Sequence, residues 1–488
     1  MSLTTQYATG SYMRKVTAIK SQSIIEIRFS GQEISEAMAV YPQVCLSSCE
    51  ISSGRANYGG RLVVTLVYAD ENGKLCRVQK GAEFTHFADD DCLAPANKGI
   101  CKLTAERTQV KREGSNWLVA VVVSAEIEVF ASAERSFITS AEGAVIKSEN
   151  VKLYSAAVFS GESEVEDSFD CNAEDVLVPC ADVLVDGCTL SAGVATVTGE
   201  IYLSLLAVRN SSPVSLDRVI PFKCEIAEEE ALLVRKASCR AEIKDLSVTA
   251  KVNEERGKCG VDVTATLAFT GEYYEEEETP VIADLFSKTR ALNVQYEKES
   301  CMVCGETKVY SERVSGLCAS KAKLDYTCAF LAAALPKAEY AVTDAGIEGG
   351  VTATLLYEQN GEMRSTEVNL PFSVTNNNFK NCKNITVSAC AFNIRQRSEG
   401  ECEAEVVLKI SATECEEVNL CFVKDASEGE ELKVCDSAMS VYIPNKGDGL
   451  WDTAKKLLQS PEEIETTNPE LAFPLTGKER ILVFRAEK

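Results

Sequence analysis

Three glycines, Gly114, Gly257 and Gly400, recur at intervals of 143 residues, and each precedes a run rich in Val, Ala and Leu with alternating apolar positions. Alternation of period two places one face of a strand in a core and the other toward water. The three runs are Trp117 to Phe130, Val261 to Phe269 and Glu403 to Ile410. In the last, Ala404, Val406, Leu408 and Ile410 are expected inward, with Glu403, Glu405 and Lys409 outward. A repeat this long means one folded unit used several times.

A second landmark lies upstream of each of these glycines. Alternating strands carry Leu62, Val64, Leu66 and Tyr68, then Ile201, Leu203, Leu205 and Ala207, then Val351, Ala353, Leu355 and Tyr357. Glycines precede each: Gly59-Gly60, Gly199 and Gly349-Gly350. Asn72-Gly73 and Asn360-Gly361 predict type I′ hairpins, in which both central residues take positive φ. The middle copy reads as a longer loop, Asn210 to Pro213, and the following strands end at Glu83-Phe84, Pro221-Phe222 and Pro371-Phe372. Segments such as Val151 to Tyr154 and Val309 to Val314 supply outer strands, and the acidic run Glu275 to Glu278 reads as a solvated loop.

The sequence therefore predicts a mostly β chain: three tandem antiparallel β-sandwich or open-barrel modules at 12–148, 151–290 and 291–435. A small module at 438–488 has a different pattern. Val441 to Pro444 is a short strand, and Asp448 is expected to cap a helix carrying Leu450, Trp451, Ala454, Leu457 and Leu458. Ser460-Pro461-Glu462-Glu463 opens a second helix with a reciprocal cap. Asn468-Pro469 ends it, and Arg480 to Phe484 closes the module as a strand. The order is strand, helix, helix, strand.

Composition narrows the function. Forty-five per cent of the 488 residues are hydrophobic, which suits a folded chain. A formal net charge of −24 disfavours nucleic acid and anionic membrane surfaces as partners, while leaving a basic partner open. Residues 1–30 carry no secretory signal pattern, and the longest apolar run, Trp117 to Val123, is too short to span a bilayer. The reading is cytoplasmic. The 21 cysteines are scattered and odd in number, which reads as reduced thiols in strands rather than a disulfide framework. Cys301 and Cys304 form a Cys-x-x-Cys, but Cys318 and Cys328 follow at no zinc spacing, so no metal and no cofactor is expected. A single histidine, His86, reads as a loop or strand-end residue. There is no nucleophile elbow and no phosphate- or dinucleotide-binding glycine loop. No catalytic residue is assigned.

The phrase Gly447-Asp448-Gly449-Leu450-Trp451-Asp452-Thr453-Ala454-Lys455, with Asn468-Pro469 and Gly477-Lys478 before Ile481, resembles the LysM family. Gly449 stands where that family has Thr, and Phe473 to Gly477 lacks its Pro-Gly pair. Both departures lie in the loops with which LysM modules hold N-acetylglucosamine chains. The upstream repeats resemble the SPOCS domain of endospore-forming bacteria, Leu355-Leu356-Tyr357 with Pro371-Phe372 being the best match. The first copy lacks the Pro and the second the Tyr.

Three SPOCS-like copies followed by a LysM-like module resemble SipL-type spore morphogenetic proteins. That resemblance implies a non-enzymatic spore-coat scaffold in the mother-cell cytoplasm at the forespore surface. Its last module would dock on a coat-basement ATPase, SpoIVA-like. A peptidoglycan-binding protein is the alternative, and a cell-wall hydrolase a third reading. Because loops carry binding and helix interiors carry packing, the candidate contact residues are Asp448, Gly449, Leu450, Asn468, Leu471, Phe473 and Leu475, with Trp451 assigned to the core. Open sheet edges would also allow self-assembly.

Overall fold

The computed structural model describes residues 2–30, 34, 36–171, 173–229, 231, 234–253, 258–398, 401–433 and 437–485. Gly257, Gly400 and the expected module boundary at residue 435 lie outside the described residues. The chain is mostly β, and among the described residues its antiparallel sheets close into no barrel.

The same pairing order occurs three times. The first unit contains β1 (Thr4–Ser30), β2 (Glu36–Ser52), β3 (Arg55–Ala69), β4 (Leu75–Asp89), β5 (Lys98–Glu113) and β6 (Asn116–Glu142). Its two sheets run β1-β6-β5 and β2-β3-β4. The second contains β7 (Val145–Cys171), β8 (Asp175–Ser191), β9 (Val194–Arg209), β10 (Ser212–Ala227), β11 (Val234–Asn253) and β12 (Lys258–Phe286), with sheets β7-β12-β11 and β8-β9-β10. The third contains β13 (Arg290–Ser320), β14 (Cys328–Thr343), β15 (Gly346–Gln359), β16 (Glu362–Thr375), β17 (Cys382–Ser398) and β18 (Glu401–Glu431). Here the end of β13 also pairs with β16, at Ala319 to Asn369, and joins both halves into one six-stranded sheet.

Each unit buries the alternating residues of its central strands. Leu62, Val64 and Leu66 on β3 face Val119, Val121, Val123 and Val129 on β6, all fully buried. Ile201, Leu203, Leu205 and Ala207 play this part in the second unit, and Val351, Ala353, Leu355 and Tyr357 in the third. Ala404, Val406, Leu408 and Ile410 are buried, and Glu405 is exposed. Glu403 and Lys409, expected in water, are half-buried.

Several local expectations are corrected. Only Gly73 of Asn72-Gly73 has positive φ. The Asp70 carboxylate accepts the Asn72 and Lys74 amides, and a three-residue turn forms in place of the two-residue one. Asn360 and Gly361 both have positive φ and do form the two-residue turn. The middle copy has the same tight turn at Asn210-Ser211, not a longer loop, and Pro213 already pairs with Val208. The strands through Phe84, Phe222 and Phe372 run on to Asp89, Ala227 and Thr375. Glu275 to Glu278 lie within β12, paired with β7, where Glu276 binds Lys152 and Tyr154. His86 is inside β4, opposite Tyr58 and edge-on to its ring.

β1, β6, β7, β12, β13 and β18 are each 27 to 31 residues long. At roughly 3.3 Å per residue that is about 90 Å or more, so each unit extends a two-stranded arm beyond its sandwich. The arms pack against one another through matching positions: Ile138, Ile282 and Val423 in one cluster with Ala141, Leu285 and Ala426. Phe137, Val281 and Phe422 form a second. At the sandwich end, Val67, Leu206 and Leu356 meet, each backed by its strand partner Ala39, Val178 or Ala332. The three units are thus arranged with quasi-threefold correspondence. A buried ion pair, Arg135 to Glu299 at 2.6 Å, joins the first arm to the third, with the Arg135 guanidinium also over Tyr12.

Candidate binding surface

The last segment comprises β19 (Met439–Tyr442), α1 (Leu450–Leu457), α2 (Pro461–Thr467) and β20 (Ile481–Phe484). Its small core is Ala454, Leu457, Ile464, Leu475, Ile481 and Val483. Ser460 and Glu463 form the expected reciprocal cap of α2. The cap of α1 is Gly449, whose amide donates to Asp452; Asp448, expected as the cap, instead holds Lys456 and accepts the Asn445 amide.

The two loops expected to carry contacts do meet. The Leu475 amide donates to the Asp448 carbonyl, and the Gly447 amide to the Leu475 carbonyl. Their side chains are mostly committed inward. Leu475 is 2% exposed and belongs to the core, so it is no surface anchor. Asn468, 1% exposed, donates to the Ile464 and Leu482 carbonyls and accepts the Leu482 amide, which ties α2 to β20. Leu450, Leu471 and Phe473 are half-buried against the same core.

Trp451, half-buried against the same core, also reaches outside its own segment. Its indole N–H donates to Asp284 on β12 at 2.8 Å, and its ring stands edge-on to Phe286, 5.3 Å between centroids. Lys455 pairs with Asp284, Lys288 with Glu463, and Tyr296 of β13 donates to Asp284. Burial raises the Asp284 carboxyl, but the hydrogen bonds from Lys455, Trp451 and Tyr296 outweigh it and hold the group below the usual range. The helices therefore anchor this segment to the tip of the second arm.

That anchoring leaves the outer face of β19 and β20 in water. Met439 pairs with Phe484 and Val441 with Leu482, so these four share one face, and the exposed Ile443 follows directly after β19. They are 58%, 52%, 54%, 37% and 67% exposed in that order, while Ile481 and Val483 point into the core. Exposed apolar side chains grouped on one face are the kind of surface that a partner covers. The sequence held a signal for it: Ile481-Leu482-Val483-Phe484 is apolar without alternation, the pattern of a strand covered on both faces.

A concavity of about 710 Å³ lies where the three units meet and is lined by Lys102, Asp182, Arg240, Glu242 and Lys337 among others. Burial pushes the Asp182 and Glu242 carboxyls up; Ser388 and Lys337 draw the first back, and Arg240 and Lys102 the second. Among the described residues no group of three or more His, Cys, Asp and Glu side chains is placed to hold a metal ion, and no helix is long and apolar enough to cross a membrane. No family model, no curated protein and no solved structure matches the chain.

Proposed function

We propose that the chain is a non-catalytic assembly scaffold of the spore envelope that docks on a protein partner through its C-terminal segment. The reading treats residues 439–484 as a LysM-like module and the three six-strand units as SPOCS-like. Its support is the strand-helix-helix-strand order at 439–484 and the pairing order used three times. The partner that the resemblance implies is a SpoIVA-like coat-basement ATPase at the forespore surface.

The observation that carries a protein partner over a sugar is the outer face of β19 and β20. Five exposed apolar side chains on and beside β19 and β20 suit the buried centre of a protein interface. A glycan chain is recognised chiefly through hydroxyl and amide partners, whereas exposed apolar side chains favour a protein surface. Capture by immobilised full-length protein tests the reading, with purified SpoIVA-like ATPase in one arm and peptidoglycan sacculi in the other. Retention of the ATPase is expected. Retention of sacculi alone overturns the proposal in favour of glycan binding through the loops at 448–450 and 471–475.

A further inference from the structure

Cys304 has a partner, but not the Cys301 that the sequence spacing suggests. Cys304 on β13 stands directly opposite Cys415 on β18, with their sulfurs 3.3 Å apart. The two thiols are 111 positions apart in the chain. Cys304 is fully buried and Cys415 partly accessible. Glu272 and Tyr274, reaching over from β12, contact the Cys304 sulfur at 2.8 and 3.7 Å, and Lys383 of β17 lies 3.6 Å from Glu272.

We infer that Cys304 and Cys415 form a peroxide-responsive thiol pair, in which Cys415 is the attacking sulfur and Cys304 the resolving one. The geometry fits the division of labour. Cys415 is the more accessible, so a small peroxide reaches it first, and Cys304 waits behind it within contact distance. The thiol–thiol contact, together with the Lys383 ammonium, draws the Cys415 thiol down against burial and the nearby Glu272 carboxylate, while the same contact and burial raise Cys304. An accessible thiol with a second thiol within contact distance behind it is the arrangement that redox-responsive cysteines need.

The chemistry closes on itself. The Cys415 thiolate attacks one oxygen of hydrogen peroxide, the O–O bond breaks, and the departing hydroxide takes a proton to become water. Cys415 is now a sulfenic acid. The Cys304 sulfur then attacks the Cys415 sulfur, the S–O bond breaks, and the departing hydroxide takes up the thiol proton as a second water. Peroxide is reduced by two electrons and the two thiols are oxidised to one disulfide, joining β13 to β18. Only about 1.3 Å of approach separates the present contact from the ~2.05 Å of a disulfide.

Full-length reduced protein treated with hydrogen peroxide, then blocked with a maleimide and digested, tests this. The expected product is a Cys304–Cys415 linked peptide, with a reductant-reversible rise in unfolding temperature. Cys304→Ser is expected to lose the linked peptide and accumulate a trappable sulfenic acid at Cys415. Cys415→Ser is expected to leave Cys304 reduced. Absence of the linked peptide from the wild-type digest, while exposed Cys92 and Cys421 are oxidised, overturns the proposal without recourse to either variant.

Discussion

Phe222 on β10 stands opposite Gly199 on β9, and a methyl group on that glycine would lie 2.7 Å from the Phe222 ring and 2.1 Å from the Leu184 carbonyl oxygen. The relation holds in all three units. Phe84 opposes Gly60 and Phe372 opposes Gly349, and an added methyl would meet the Cys45 or Glu339 carbonyl oxygen at 2.6 or 2.1 Å. The glycine lets the neighbouring backbone approach closely, and in the first two units the ring fills the space above it. Gly199→Ala is therefore expected to destabilise the protein by about 1–3 kcal/mol or more through overpacking. Denaturant titration of the full chain measures it; an unchanged midpoint would contradict this packing.

Leu206 faces the other two units instead of its own sandwich. Leu206→Ala is expected to cost roughly 2–5 kcal/mol, as for other large-to-small core changes. Limited proteolysis should then release individual units sooner than in the parent protein. Equal cleavage rates would mean that this cluster does not hold the units together.

The Arg135–Glu299 pair crosses between arms with both side chains largely buried. Arg135→Ala leaves the Glu299 carboxylate uncompensated and is expected to cost about 3–5 kcal/mol. The double change Arg135→Met, Glu299→Leu should cost much less. A thermal-unfolding double-mutant cycle distinguishes the two outcomes.

How much of this is legible in the sequence depends on what a single strand can report. Inward residues such as Val64, Leu205 and Leu355 follow from alternation, because period two is a property of the isolated strand. So does the cap at Ser460 and Glu463, whose partners lie three residues apart. The tight turn at Asn210-Ser211 escapes sequence reasoning because Asn-Ser lacks the glycine that usually announces positive φ at both positions. How the units meet follows from no strand taken alone, yet its trace is present: Leu66-Val67-Tyr68, Leu205-Leu206-Ala207 and Leu355-Leu356-Tyr357 all break alternation where a second face is covered. Leu475 departs from expectation for a related reason. It lies in a loop, and loops are usually exposed, but its amide and carbonyl hold the neighbouring loop at Gly447 and Asp448 closed, and its side chain completes a very small core.

Docking of the C-terminal segment should depend on pH through Asp284. Its folded pKa is depressed, so its contribution is fully present above the unfolded value of about 3.9 and is lost as pH falls through the lower folded value. The protection factors of the amides at residues 450–457, taken relative to the slower intrinsic exchange in acid, are expected to fall below about pH 4. In Asp284→Asn the exchange should already be fast at neutral pH, with a weaker pH response. Exchange that ignores both changes would place the anchor elsewhere. Trp451→Ala is expected to loosen the same contact.

The most direct test of the scaffold reading is the affinity of full-length protein for a SpoIVA-like ATPase, measured by calorimetry with and without the paired change Val441→Glu, Phe484→Glu. Both positions are more than half exposed, so the fold should survive, as circular dichroism can verify. Loss of one central anchor costs about 2 kcal/mol or more, so affinity should fall by at least about thirtyfold. A folded variant that binds the ATPase as tightly as the parent would contradict docking through this face.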